Sequence, residues 1–143
     1  MNKIKILIPV YNDWQSVFKL LENINSEAST LDVELSVVII NDASTESRPN
    51  FSVNLSNLVS IQIINMKENR GHARCNAAGL KHINAKEDFD YIIPMDGDGE
   101  DRPEELRLLI DKITDYPGLV VTANRVKRSE GFIFKFCYLV HKY

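Results

Sequence analysis

The segment FDYIIPMDGDGEDRPEEL, residues 89–106, decides the fold. Its apolar run Tyr91–Met95 stops at Asp96-Gly97-Asp98-Gly99-Glu100-Asp101, and a helix is expected to begin at Arg102-Pro103. If the strand ends there and the glycines let the backbone turn, the carboxylates converge on one point. Converging carboxylates repel unless a hard divalent cation sits among them. Mg²⁺ and Mn²⁺ take one or two carboxylates together with substrate phosphates. The same residue types also make solvated turns and helix caps, so the segment alone is compatible with either reading. An EF-hand loop is excluded, because its sixth and twelfth positions, which require Gly and Glu, are Asp101 and Arg107 here.

Outward from this segment the chain alternates strands and helices. Lys3–Val10 reads as a strand whose apolar half, Ile6–Val10, suits burial on both faces of a parallel sheet. Asp13 is placed to cap a helix through Ser29, with Trp14, Val17, Phe18, Leu21 and Ile24 on its core face. Val33–Ile40 and Val59–Met66 read as further strands, separated at 46–58 by a polar loop with room for a short helix. Asn69-Arg70-Gly71-His72 opens a helix to about Ile83 that packs through Ala73, Ala77, Ala78 and Leu80. After the strand Tyr91–Met95, Asp101 is the expected cap of a helix with Pro103 in its first turn, ending near Tyr116-Pro117-Gly118. Leu119–Ala123 is the expected fifth strand, and Ser129–Tyr143 is read as helical.

This alternation implies an α/β domain with a mainly parallel, doubly wound sheet. Ligands of such sheets bind outside the carboxyl ends of the strands, where strand order reverses. The polar clusters fall at those ends: Tyr11-Asn12-Asp13, Asn41-Asp42, Asn69-Arg70-Gly71, Asp96-Gly97-Asp98 and Asn124-Arg125. Asp42, helped by Ser44 and Thr45, suits a base or ribose, though capping a turn is its ordinary use. Arg70 and Arg74 flank a helix start and suit phosphate, as does Arg125, though a solvated helix face is the common place for an arginine. His72 reads as a packing or surface histidine, with no second histidine or metal-type spacing beside it.

Composition narrows the function further. The 143 residues are 44% apolar and 26% charged, as in a soluble globular domain. A formal net charge of −3 gives no reason to expect a nucleic-acid partner. The basic residues gather late, where Arg125, Lys127, Arg128, Lys135 and Lys142 interleave with Phe132, Phe134, Phe136, Tyr138 and Tyr143. That pattern suits an anionic or membrane-surface contact, and equally a core or dimer helix. Cys75 and Cys137 form neither a disulfide framework nor a metal spacing, so a reducing cytoplasm is expected. The longest apolar stretch, Phe132–Val140, is interrupted by Lys135 and too short to span a bilayer. A nucleophile elbow, a Walker A loop and the dinucleotide fingerprint are all missing from the sequence. Phosphate-centred chemistry without those motifs points to nucleotide-sugar transfer.

Four motifs in order carry a resemblance: Pro9-Val10-Tyr11-Asn12, Val38-Ile39-Ile40-Asn41-Asp42-Ala43-Ser44, Asn69-Arg70-Gly71-His72-Ala73-Arg74, and Met95-Asp96-Gly97-Asp98-Gly99-Glu100-Asp101-Arg102-Pro103-Glu104. Together they resemble the family-2 glycosyltransferases, which have the GT-A fold. The branch most similar is the bacterial polyprenyl-phosphate, dolichol-phosphate mannose synthase-like one. The resemblance implies that Pro9, Tyr11 and Asp42 contact the nucleoside; Asn12, Ser44, Arg70 and Arg74 are the further candidates for the nucleotide site. It makes Asp96-Gly97-Asp98 the D-x-D element, with Asp98 on a divalent Mg²⁺ or Mn²⁺ and Asp96 near the ribose or the metal. Glu100 stands where many relatives place a metal-ligating Gln, and Asp13 where they often have Glu. Arg125 matches an arginine facing the donor phosphates or the acceptor.

The implied activity is inverting transfer of a sugar from a UDP- or GDP-linked donor to a polyprenyl phosphate or cell-envelope glycan, at the inner face of the membrane. The expected organisation is a donor-binding domain over 1–125 and, over 126–143, the start of an acceptor-binding or membrane-proximal segment. Relatives usually continue with acceptor-binding helices, so the chain reads as a donor-binding piece. The alternative is a nucleotide-sugar binding module without turnover. A nucleotidyltransferase ranks lower, because no glycine- and lysine-rich loop follows Lys3–Val10.

Overall fold

Strands with apolar runs and helices with one apolar face can be buried together only as layers. A computed structural model describes residues 1–50 and 52–123 and shows that arrangement. In order along the chain come β1 (Asn2–Val10), α1 (Trp14–Ala28), β2 (Val33–Asn41), β3 (Ser60–Asn65), α2 (His72–Lys86), β4 (Tyr91–Pro94), a 3-10 turn (Pro103–Glu105) and α3 (Leu106–Asp115). The strands form one sheet in the order β3-β2-β1-β4, and every pairing is parallel. The chain steps outward from β1 to β2 to β3, then returns through α2 to lay β4 on the far side of β1. Strand order therefore reverses between β1 and β4, which is where such sheets bind ligands.

Residues 1–107 and 108–143 form two units. In the first, β1 is paired on both edges and accordingly has Ile4, Ile6, Leu7 and Ile8 fully buried. Leu7, Val38 and Ile40 share a cluster with Cys75 and Ile83 of α2. By the two-residue alternation of a strand, Ile6, Ile8, Val37 and Ile39 face the opposite layer. Helix α1 is capped as the sequence predicts: the Asp13 carboxylate accepts from Ser16 N–H at 3.3 Å. Its buried residues are Trp14, Val17, Leu20, Leu21, Ile24 and Ala28, while Phe18 is only half-buried beside Trp14. Two lysines of β1 tie down the turn between α2 and β4: Lys3 pairs with Asp88, and Lys5, 9% exposed, reaches Glu87 at 3.1 Å.

The structure corrects four local expectations. First, the packing face of α2 is Cys75, Gly79 and Ile83, whereas Ala73, Ala77 and Leu80 are exposed. What decides this is space: a Cβ on Gly79 would collide with Leu7 Cδ1 and lie 2.9 Å from Ile40 Cγ1. Second, 46–58 is the expected loop but the short helix it had room for does not form among its described residues; the Asn57 backbone and side-chain amides bind Asn25 at 3.0 Å each, and Leu58 is buried. Third, Asp101 does not cap the helix beyond it. The turn starting at Pro103 is preceded by Arg102 with no side-chain cap, and the Asp101 carboxylate accepts from Asp96 N–H at 2.8 Å instead. Fourth, Leu119–Ala123 is not a strand: Leu119 N–H turns back to Tyr116 O at 3.3 Å, and Val120 is 93% exposed. Apolar β-branched residues make a strand only where a neighbour offers a ladder, and among the described residues none is paired with them.

Arg125 and the basic, aromatic segment 126–143 lie outside the described residues. Among the described residues no helix is long and apolar enough to cross a membrane.

The contact at Gly79 generates a test. Gly79→Val should lower unfolding free energy by about 3 kcal/mol through overpacking against Leu7 and Ile40, read from urea denaturation. A variant as stable as the parent would mean that α2 does not sit this close to the sheet.

Candidate functional site

Parallel strands all end at the same edge of the sheet, so the polar residues that follow them become neighbours. The exits of β1 and β4, with the start of α2, line a cleft of about 190 Å³ made by Pro9, Val10, Tyr11, Asp13, Val17, His72, Asp96, Gly97 and Asp98. The last ladder bond between these strands is Met95 N–H to Leu7 O, 2.9 Å. The chain then turns away at Gly97, where a Cβ would lie 2.8 Å from Val17 Cγ2 and 3.3 Å from Pro9 O. A side chain at that position would fill the cleft floor, so glycine is required by the close approach rather than by the turn alone. Gly99, at φ +84°, supplies the left-handed residue that reverses the chain.

The rim beside the cleft is lashed by side chains. Asn12, itself at φ +64°, accepts through Oδ1 from Thr45 N–H at 2.8 Å and Glu46 N–H at 3.0 Å. Its own backbone N–H donates to Ser44 Oγ at 2.9 Å. Ser44 N–H in turn donates to Asn41 Oδ1 at 3.0 Å, and Asn41 Nδ2 donates to Asn65 Oδ1 at 2.9 Å. The exits of β1, β2 and β3 are thus tied into one row.

Asp42 is 3% exposed, and its two carboxylate oxygens accept from Arg70 N–H and Gly71 N–H at 2.8 Å each. Helix α2 has no side-chain cap of its own, so Asp42 anchors its start from another strand. A buried carboxylate is tolerable there because charge-assisted bonds and the positive helix end offset its lost hydration.

Of the residues singled out from sequence, Pro9, Tyr11, Asp96 and Asp98 meet in the cleft, and Tyr11 is 47% exposed. Asn12, Ser44 and Asp42 stand beside it in the lashings just described. Arg70 is half exposed and pairs with Glu68, while Arg74 is exposed on α2. Asp98 and Glu100 are exposed, and Asp98 Oδ1 accepts from Glu100 N–H at 2.9 Å. Among the described residues no three of His, Cys, Asp and Glu form a ready-made metal cluster. The donors on this turn are hard carboxylate oxygens open to solvent, which suits a hard cation that shares its coordination with phosphates.

Two cleft residues were undervalued in the sequence. His72 is not merely a surface group: its Nε2 lies 3.3 Å from Asp96 Oδ1, across the cleft, and 3.0 Å from Asn76 Nδ2. The available signal was its place as the first residue of a helix that follows a strand exit. Val17 is core, as its helical spacing predicts, but its side chain also shapes the pocket floor. Cys75, by contrast, takes no part. It is fully buried, donates to Ile40 O at 3.4 Å, and burial pushes its thiol up to about 11.

The fold has solved counterparts. S. aureus TarS 1-349 in complex with UDP-GlcNAc superposes with a TM-score of 0.56 at 17% identity, over 88% of this chain and 38% of that one. The mannosyltransferase PcManGT from Pyrobaculum calidifontis, in complex with GDP-Man and Mn²⁺, gives a TM-score of 0.50 at 22% identity, over 68% of this chain and 28% of that one. The chain thus spans less than half the length of these proteins, and the likeness establishes a GT-A architecture. Sequence matching goes further, because residues 5–136 fit the family described as Glycosyl transferase family 2. With the match covering most of its length and the four exit motifs arranged on one sheet edge, this chain belongs to glycosyl transferase family 2.

Proposed function

We propose that this chain binds the donor of a metal-dependent, inverting glycosyltransferase, which moves a sugar from a UDP- or GDP-linked donor to a polyprenyl phosphate or a cell-envelope glycan. The observation that carries this reading is the cleft at the switch point between β1 and β4. It places Pro9 and Tyr11 opposite Asp96, Gly97 and Asp98 in a chain of this family. That solved counterparts hold UDP-GlcNAc and GDP-Man supports a nucleotide-sugar donor.

The roles follow from position. The Tyr11 ring and Pro9 offer an apolar wall to the nucleoside, whose polar edges meet the rim around Asp42 and Ser44. Arg74 and Arg70, near the start of α2, supply cationic charge for the diphosphate. Asp98, with Asp96 and Glu100 on the same turn, would hold Mg²⁺ or Mn²⁺. What such a bound ion supplies is neutralisation of the charge that develops on the leaving diphosphate. A polyprenyl phosphate acceptor is already ionised at neutral pH and requires little help from a base, whereas a sugar hydroxyl requires a carboxylate to take its proton. Arg125 and the segment 126–143 are assigned here to the acceptor side at the cytoplasmic face of a membrane, on their charge and aromatic content alone.

Calorimetry with UDP and GDP, each with Mn²⁺, tests the assignment. Asp98→Asn and Asp96→Asn should abolish Mn²⁺-dependent binding, and unchanged affinity in both would refute it. A donor-hydrolysis and transfer assay on the same samples separates an enzyme from a module that only binds.

The cleft floor gives a second test. Gly97→Ala should weaken nucleoside diphosphate binding about tenfold and cost about 1–2 kcal/mol of stability, because the added methyl must displace Val17. Full affinity in that variant would mean that the ligand does not reach the floor between Pro9 and Val17.

A further inference from the structure

We infer that Asp101 is a positioning residue for the D-x-D turn, acting through the backbone of Asp96 rather than by touching the ligand. The inference rests on the donor-site reading above and deepens it. The turn is pinned at three successive residues, each by a different kind of contact. Met95 N–H makes the final ladder bond to Leu7 O at 2.9 Å. Asp96 N–H is the first amide past the ladder, and Asp101 Oδ2 accepts from it at 2.8 Å. Gly97 is wedged between Val17 and the Pro9 carbonyl.

The middle pin is a side-chain hydrogen bond, and it spans the turn from one end to the other. Its geometry depends on Gly99, whose φ of +84° folds the chain back so that the fifth residue after Asp96 can reach it. Asp101 is itself held from behind, since Pro103 and Leu106 just beyond it are buried, and Arg107 Nη2 donates to Thr30 O at 2.5 Å beyond the end of α1. The docking of this segment on α1 is thereby conveyed to the backbone that carries Asp96 and Asp98.

A carboxylate at 101 costs something in this place. It stands among Asp96, Asp98 and Glu100, and like charges on one short turn repel. Local stability alone is poorly served by such a choice, whereas a strong acceptor that fixes two ligand-bearing residues is well served.

The test uses the whole chain with Asp101→Ala and Asp101→Asn, the second retaining an acceptor oxygen. Partners of this kind, one step behind a metal ligand, change metal affinity by roughly ten- to a hundredfold when removed. Asp101→Ala should therefore weaken Mn²⁺-dependent UDP or GDP binding by about that factor, while Asp101→Asn recovers most of it. Nucleoside binding in EDTA and the melting temperature should stay near the parent's in both, which a general structural role would not allow. Amide hydrogen exchange adds a readout without ligand: the Asp96 amide should exchange faster in Asp101→Ala and not elsewhere in β1 or α1. If the parent chain binds neither diphosphate with Mn²⁺, the donor-site reading fails, and the exchange of Asp96 still decides the positioning role. Parent-like exchange at Asp96, parent-like Mn²⁺-dependent binding in Asp101→Ala, or equal damage in both variants would overturn the inference.

Discussion

The central position of β1 is the constraint on which everything else in residues 1–107 depends. Paired in parallel with β2 on one edge and β4 on the other, it leaves no strand edge of its own and must be apolar on both faces. Its register also sets the depth of the site. Val10 stands opposite Asn41 and Leu7 opposite Pro94, so β4 ends three positions earlier along β1 than β2 does, and Met95-Asp96 carry the chain on beside the β1 exit. A slip of one residue between β1 and β4 would exchange the faces to which the side chains of β4 point and shift Asp96 relative to Tyr11.

Polar residues at that rim serve two ends at once. Asn12, Ser44 and Asn41 bind one another and the loop amides around them, and Asp42 holds the start of α2. A loop fixed in this way presents its remaining groups without first having to be ordered, and avoiding that ordering cost is how preorganisation raises affinity. The rigid rim and the candidate nucleotide site are therefore one construction. Residues typed from sequence as ligand contacts can contribute as much by holding their neighbours as by touching a ligand.

Two glycines set the distances between layers. Gly79 lets α2 approach Leu7 and Ile40, and Gly97 lets the acidic turn descend onto Val17 and Pro9. Neither requires a positive φ, which separates them from Gly71 and Gly99, whose backbones do. A periodicity reading passes over such positions because it weighs apolarity, and a glycine has none to offer. For that reason α2 was expected to pack through Ala77 and Leu80, one face away from the true contact.

What the sequence by itself determined was the order of elements and the chemistry collected at their ends. Continuous apolar runs such as Ile6–Val10 and Val37–Ile40 have few other places to go than a buried parallel sheet, and Asp13 before Trp14 fixes a helix start locally. The four exit motifs were legible for the same reason, since each depends on a residue and its near neighbours. Tertiary structure alone decided which partner each polar group takes. Asp101 was free to cap the helix after it or to reach back five residues to Asp96, and His72 to face solvent or Asp96. It also denied Leu119–Ala123 a ladder, although those residues have the composition of a strand. In each case the outcome depends on what another segment places within hydrogen-bonding distance, and spacing along one chain does not carry that information.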